Sequence, residues 1–345
     1  TRVGLRRDEN RCLRTFVDII RRFRPDLIHI HGTERFFGRL KVDNLINVPT
    51  VVSIQGLMRP CATYAWGEKT VVDMLPLTNL WEVTRMFPTL SRRQNYIRRA
   101  RLEEKTISAV DGVIGRTSWD RSYCWQVAPH TPYFHVDEML RSEFFGPRWS
   151  AVAATRHRVY ASGRLTFAKG MHVLLDGMAL VKRQYPDLQV RIAGDDTATP
   201  EFRYIRRRIS QLGLEDSVRL LGWISGQQIV EELKAARCYV NTSFIENGCN
   251  ALQEAMLVGC PCVATFTGGM VTTLSHRKTG LMVPIGCVHM YADAVKELFD
   301  DDALCESLGS EANQVARDRH NPQLVLRQLL TAYRALVGTT SSQAK

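Results

Sequence analysis

The chain has 345 residues, 45% of them hydrophobic and 23% charged, with a formal net charge of +11. At about 150 residues per domain this length suggests two domains, and the composition excludes a wholly disordered chain. Basic residues number 24 against 16 acidic before residue 154 and 22 against 19 after it, so the excess lies in the first half. A solvated surface, an anionic membrane surface or lipid-linked substrate, and nucleic acid are the three readings, and no helix-turn-helix, zinc-finger or RNA-recognition signature supports the last.

Asp8 to Phe23 reads as a helix with Leu13, Phe16, Val17 and Ile20 on one face. Pro25 ends it, and Leu27–Ile30 follows as a strand. A parallel strand fed by a helix normally has an earlier strand beside it. None precedes this one, and the sequence opens at Thr1 with no secretory signal. The first domain is therefore expected to lack its N-terminal strands and its natural start. Val51–Ile54 and Gly112–Ile114 are further strands. Between them Ser91 to Ser108 reads as a helix carrying Arg92, Arg93, Arg98, Arg99 and Arg101, either a solvated face or a basic face for anionic lipid headgroups or a lipid diphosphate. Residues 141–158 hold Gly146, Pro147 and several charges but no strand signal, which puts a domain boundary near 154.

Beyond it the strand signals are Val159–Ala161, Gln189–Ala193, Arg219–Leu221, Cys238–Asn241, Cys262–Thr265 and Gly280–Val283. Continuous apolar strands alternating with helices indicate parallel sheets covered on both faces. The fold class is α/β, with two doubly wound domains over 1–154 and 155–338 and a polar tail over 339–345. The longest uncharged stretch, Ala255 to Ser275, contains Gly259, Pro261, Gly268 and Gly269 and is too polar for a spanning helix. Nine cysteines without a CxxC pair read as reduced, mostly buried thiols of a cytoplasmic protein. Cys260 and Cys262 are too close for a zinc knuckle.

Two constellations carry chemistry. In VYASGRLTFAKGMHVLL a strand runs into Gly163-Arg164, then Lys169-Gly170 and a helix. A guanidinium and an ammonium thus lie at the carboxyl end of a parallel strand, where open α/β sheets bind ligands. Arg as a planar fork and Lys as a point charge suit a diphosphate; ordinary surface cations on a loop are the bland alternative. In CYVNTSFIENGCNALQEAM a strand leads to Glu246, then Asn247 and Gly248, then a helix from about Asn250 to Val258 that holds Glu254. The helix N-terminus favours an anion, and two carboxylates beside a phosphate site suit sugar hydroxyls, against two separately solvated glutamates. Elsewhere, His29 and His31 share one face of a strand, but a metal site there lacks a third ligand. The Asp195-Asp196 pair resembles an acidic metal motif and reads more simply as a solvated or structural loop.

From about Val159 to Val283 the sequence resembles the donor-binding domain of retaining, nucleotide-sugar-dependent glycosyltransferases of family 4, with the GT-B fold. The resemblance rests on GRLTFAKG, VRIAGD, VRLLGWIS, the Glu-x7-Glu element ENGCNALQE followed by AMLVGCPCVAT, Thr267–Gly269 and TGLMVP, in family order. It extends less specifically through DLIHIHG and PTVVSIQG. The resemblance implies two Rossmann-like domains facing a cleft, with the last helix packing back on the first. It implies that Arg164 and Lys169 hold the donor diphosphate, that Glu246 binds the transferred sugar near the reacting carbon, and that Glu254 binds the ribose. Gly163, Gly248, Cys249, Asn250 and Ala251 would line the pocket, and Trp223 and Ile224 would meet the base. His31, Gly32, Gln55 and Gly56 would line the acceptor side. Many relatives have His where Gln55 stands, and an amide cannot act as acid or base at neutral pH.

The function so implied is transfer of a sugar, hexosyl-type, from a nucleotide sugar to a glycan or lipid-linked glycan hydroxyl with retention, in surface polysaccharide or glycolipid synthesis. No metal or other cofactor is expected, since Arg164, Lys169 and a helix N-terminus can neutralise the leaving diphosphate. The expected location is the cytoplasm, with peripheral contact at the inner face of an anionic membrane. The alternatives are a nucleotide-sugar epimerase of the same architecture and a non-catalytic sugar-nucleotide-binding subunit.

Overall fold

The computed structural model describes residues 2–70, 73, 87–194 and 199–343. The pair Asp195-Asp196 lies outside the described residues. Contacts divide the chain into two units. The first comprises Thr1–Thr63, Arg92–Glu138 and Pro322–Lys345, and the second Tyr64–Ser91 and Met139–Asn321. Neither unit is one continuous stretch, and the division after Glu138 falls upstream of residue 154.

The first unit holds four parallel strands, β1 (Ile28–His31), β2 (Thr50–Ser53), β3 (Gly112–Gly115) and β4 (Tyr133–His135), in that spatial order. Thr50–Ser53 and Gly112–Gly115 are buried on every residue, which is why their sequence runs apolar without alternation. The strand Tyr133–His135 gives no comparable signal: it is three residues long, half-exposed and at the sheet edge. Among the described residues β1 forms the other edge. Helix α1 (Arg2–Phe23) begins upstream of the expected Asp8; Leu13 and Val17 bury against Leu40 and Ile46. Helix α2 (Phe87–Ala109) begins upstream of the expected Ser91. Helix α3 (Ser118–Val127) starts at a reciprocal capping box between Thr117 and Asp120. The C-terminal helix α4 (Pro322–Gln343) covers the sheet through Val325, Ala332 and Leu336, packed with Val51, Ile114 and Val136.

Among the described residues the second unit holds six parallel strands: β5 (Thr155–Ser162), β6 (Gln189–Ala193), β7 (Val218–Gly222), β8 (Ala236–Asn241), β9 (Cys262–Thr265) and β10 (Leu281–Val283). Their order is β10-β9-β8-β5-β6-β7. The chain starts in the middle, winds outward one way, then returns to pair β8 with β5 and winds the other way. That reversal between β5 and β8 is where doubly wound sheets open a ligand crevice. β5 starts at Thr155, inside the segment read as strand-free, because its first residues are charged or polar and only Val159, Tyr160 and Ala161 are fully buried. Helices α5 (Met171–Lys182), α6 (Pro200–Gln211), α7 (Gly226–Ala235), α8 (Asn250–Val258), α9 (Val288–Asp300) and α10 (Asp302–Arg319) complete the layers. A single apolar core runs through Val159, Val190, Cys238, Val240, Leu252, Val263 and Leu298.

Candidate active site

Every residue of the first constellation stands at the carboxyl end of β5. Gly163 adopts φ +142° and donates its N–H to the Ala193 carbonyl at 3.0 Å. Arg164 follows, exposed and without an ion pair among the described residues. A turn of 3-10 helix, Phe167–Lys169, then leads to Gly170 at φ +66°, which opens α5. A side chain at Gly170 would overlap the carbonyl oxygen of Thr242, so this position requires glycine twice, for its φ and for its space.

The second constellation stands at the carboxyl end of β8, and the fold binds it to the first. Phe244 N–H donates to the Ala168 carbonyl at 2.9 Å. The Thr242 hydroxyl faces the carbonyl oxygens of Lys169 at 3.1 Å and Gly170 at 2.9 Å. Lys169 Nζ donates to Glu246 Oε1 at 2.5 Å, and Ser243 Oγ donates to the same oxygen at 2.8 Å. From behind, Gly269 N–H donates to the Glu246 carbonyl at 3.0 Å, and Gly268 approaches that carbonyl too closely for a Cβ. Glu246 is thereby fixed through backbone and carboxylate alike. The Lys169 pair is half-buried, so its attraction is less screened than that of a surface pair.

Helix α8 begins one turn further on. Its N-cap is Cys249, whose thiol is a weak acceptor; burial pushes that thiol up to about 12, so it stays protonated and is no nucleophile. Asn250 is exposed, and Gly248 and Ala251 are half-buried. Glu254 lies inside the helix, buried, and burial raises its carboxyl above the ordinary range while Arg141 opposes the rise. Both Arg141 Nε at 3.1 Å and Arg141 Nη2 at 2.8 Å donate to Glu254 Oε1, which leaves Oε2 for another donor. The Arg141 guanidinium also lies 4.8 Å from the Phe144 ring centroid.

Residues 149–315 match the family model described as glycosyl transferases group 1. That segment, which lies within the second unit, is the part of the chain that matches the family. A D-inositol 3-phosphate glycosyltransferase of Pseudarthrobacter chlorophenolicus is 32% identical over 160 residues, covering 46% of this chain and 38% of that protein. The chain spans less than half the length of the curated relatives it matches. Sucrose-phosphate synthase from Thermosynechococcus elongatus superposes with a TM-score of 0.75 at 20% identity, over 95% of this chain and 78% of that one. Anabaena Alr3699/HepE in complex with UDP-glucose gives 0.68 at 18% identity, over 96% and 82%. The structural neighbours share the fold, two Rossmann-like domains of the GT-B type.

Within the group 1 domain the Trp223 loop reaches the same region from a third strand. Trp223 is 79% exposed, and Ile224 packs on the core. Ser225 caps helix α7. Gly226 sits so close to Glu143 and Arg141 that a Cβ there would clash with the Glu143 carboxylate. Arg141 therefore joins the Trp223 loop to Glu254. Sequence reasoning missed Arg141, Ser243 and Thr242. All three are polar residues near expected site residues, but only Ser243 and Thr242 are close to them in sequence. Arg141 stands in the segment read as a domain boundary.

The acceptor-side residues all belong to the first unit. His31 ends β1, exposed, and its ring stacks on His29 with centroids 4.0 Å apart. His29 is held between Tyr333 Oη at 2.6 Å and Ser53 Oγ at 2.5 Å; burial and the neighbouring His31 lower it to about 4, so it stays neutral. Gly32 takes φ +92° and donates its N–H to the Ser53 carbonyl at 2.9 Å. Gln55 is exposed at the end of β2, with Gly56 beside it in open space. Beneath these loops Glu103 is fully buried and ties them together. Thr33 Oγ1 donates to its Oε2 at 2.5 Å, and Met58 N–H to its Oε1 at 2.9 Å. Burial raises its carboxyl to about 7. Among the described residues no group of three His, Cys, Asp or Glu side chains is arranged for a metal ion, and no helix is long and apolar enough to cross a membrane.

Proposed function

We propose that this chain transfers a sugar, hexosyl-type, from a nucleotide-sugar donor to a hydroxyl of a glycan or lipid-linked glycan, with retention, in surface polysaccharide or glycolipid synthesis. The observation that carries the proposal is the Lys169–Glu246 pair at the point where the strand order reverses, beside the exposed Arg164. A diphosphate brought there meets a guanidinium fork and an ammonium, together with the N-terminus of α8. Lys169 then divides its protons between phosphate and Glu246, and Glu246 is oriented to accept from sugar hydroxyls. Glu254 Oε2 accepts from the ribose hydroxyls, and the Trp223 indole offers a face to the base.

Arg164, Lys169 and the helix N-terminus neutralise charge on the leaving diphosphate, so the reaction needs no metal. In support, Anabaena Alr3699/HepE, a protein of the same fold, has been solved with UDP-glucose bound. The exposed Arg93, Arg98, Arg99 and Arg101 of α2 support peripheral contact with an anionic membrane face from the cytoplasmic side. The test is to incubate the chain with UDP-, GDP- and ADP-sugars, with and without glycan acceptors, in excess EDTA. Nucleotide release that rises with acceptor and survives chelation is the expected result. Interconversion of the free donor without transfer would identify an epimerase, and tight binding without turnover a binding subunit.

A further inference from the structure

Three neighbouring strands of the four-stranded sheet place one connected set of side chains at their carboxyl ends. Gln55 follows β2, Arg116 follows β3, and Glu138 follows β4. Arg116 Nη2 donates to Gln55 Oε1 at 3.1 Å, and Arg116 Nη1 pairs with Glu138. The Arg116 side chain is only 8% exposed, whereas Gln55 faces solvent. A free glutamine presents either end of its amide. This one does not, because a guanidinium has five donors and no acceptor, so the amide atom facing it must be the oxygen. The Nε2 hydrogens are then the end of Gln55 left for a ligand, and they have no other partner among the described residues. Carboxyl ends of parallel strands are also where such sheets bind ligands.

We infer that Arg116, held by Glu138, is a positioning residue that fixes Gln55 as a one-way hydrogen-bond donor toward a sugar or phosphate oxygen of the substrate. The identity of that substrate rests on the glycosyl-transfer reading; the orientation of the amide does not. The position accordingly needs a side chain that accepts from Arg116 on one side and donates on the other. Glutamine does so, and so does a neutral imidazole. A carboxylate accepts on both sides.

Three substitutions at the exposed Gln55 test this without disturbing the core. Gln55→Glu keeps an acceptor for Arg116 and removes the outward donor. Gln55→His keeps both, and Gln55→Lys opposes the guanidinium. Thermal unfolding reads the contact itself: Gln55→Glu is expected to melt about 2 °C or more above Gln55→Lys, and Arg116→Met to narrow that gap. UDP release from UDP-glucose reads the outward donor: Gln55→His is expected to remain at least tenfold faster than Gln55→Glu. Equal melting of the Glu and Lys variants would overturn the Arg116 contact, and equal UDP release by the Glu and His variants would overturn the donor role. An unaltered chain that releases no UDP from UDP-glucose would count against the transfer reading for that donor, while the melting series would still judge the amide orientation.

Discussion

The two sheets use their carboxyl ends differently. In the six-stranded unit the loops after β5 and β8 are bound to one another by backbone and side-chain hydrogen bonds, and their charges meet in the Lys169–Glu246 pair. In the four-stranded unit the loops after β1 and β2 are joined from beneath by one buried carboxyl, Glu103, and expose Arg35 and Gln55. The first arrangement is rigid and charged, suited to a compact anionic group. The second presents hydrogen-bonding groups on open loops, suited to a more variable partner.

The sharpest way to break this contrast is Glu246→Gln. It removes one partner of a half-buried charged pair, and turnover should fall on the order of 10²-fold or more, with the fold retained in circular dichroism. Turnover close to that of the unaltered chain would show that the charged junction is structural only. Next in size, Gly170→Ala forces a side chain into φ +66° and onto the Thr242 carbonyl. A loss of roughly 2–3 kcal/mol in denaturant unfolding is expected.

The buried carboxyl of the first unit should declare itself through pH. Glu103 rises from its ordinary 4.5 to about 7, so the folded chain keeps a proton that the unfolded chain has released. Its contribution to stability therefore falls as pH rises from about 4.5 to about 7. His29 is lowered from 6.5 to about 4; the folded chain refuses a proton that the unfolded chain takes, so its contribution is full above about 6.5 and falls as pH drops toward 4. The two oppose each other over one window. Glu103→Gln should unmask the histidine, and the variant should lose roughly 2 kcal/mol more than the parent between pH 7.5 and 4.5 in urea unfolding. Parallel pH curves for the two proteins would show that Glu103 does not hold its proton.

Arg141→Met should weaken nucleotide binding about tenfold, as expected for one charged hydrogen-bond set, measured by calorimetry. Arg141→Lys should restore only part of it, since an ammonium cannot make the same planar contact. The smallest effect is expected at Gly56→Ala, where a Cβ meets open space: stability should change by less than about 0.5 kcal/mol. That near-neutral outcome, set beside Gly170→Ala, measures how much tighter the charged junction is than the open loop.

The sequence by itself determined the strands of both sheets, because a strand covered on two faces must be apolar throughout and such runs stand out between charged helices. Among the described strands only Tyr133–His135, short and at an edge, escaped. It also determined the residue types at the site, since Gly163-Arg164, Lys169-Gly170 and the Glu246 to Glu254 spacing are local patterns. Tertiary structure decided the partners. Lys169 meets Glu246 across 77 residues and Arg141 meets Glu254 across 113, and both meetings depend on strand order, which no local periodicity encodes. It also decided which end of the Gln55 amide is presented. Local propensity acts through neighbours three or four residues apart, while a hydrogen bond or ion pair between loops forms only after the sheet has fixed which loops are adjacent.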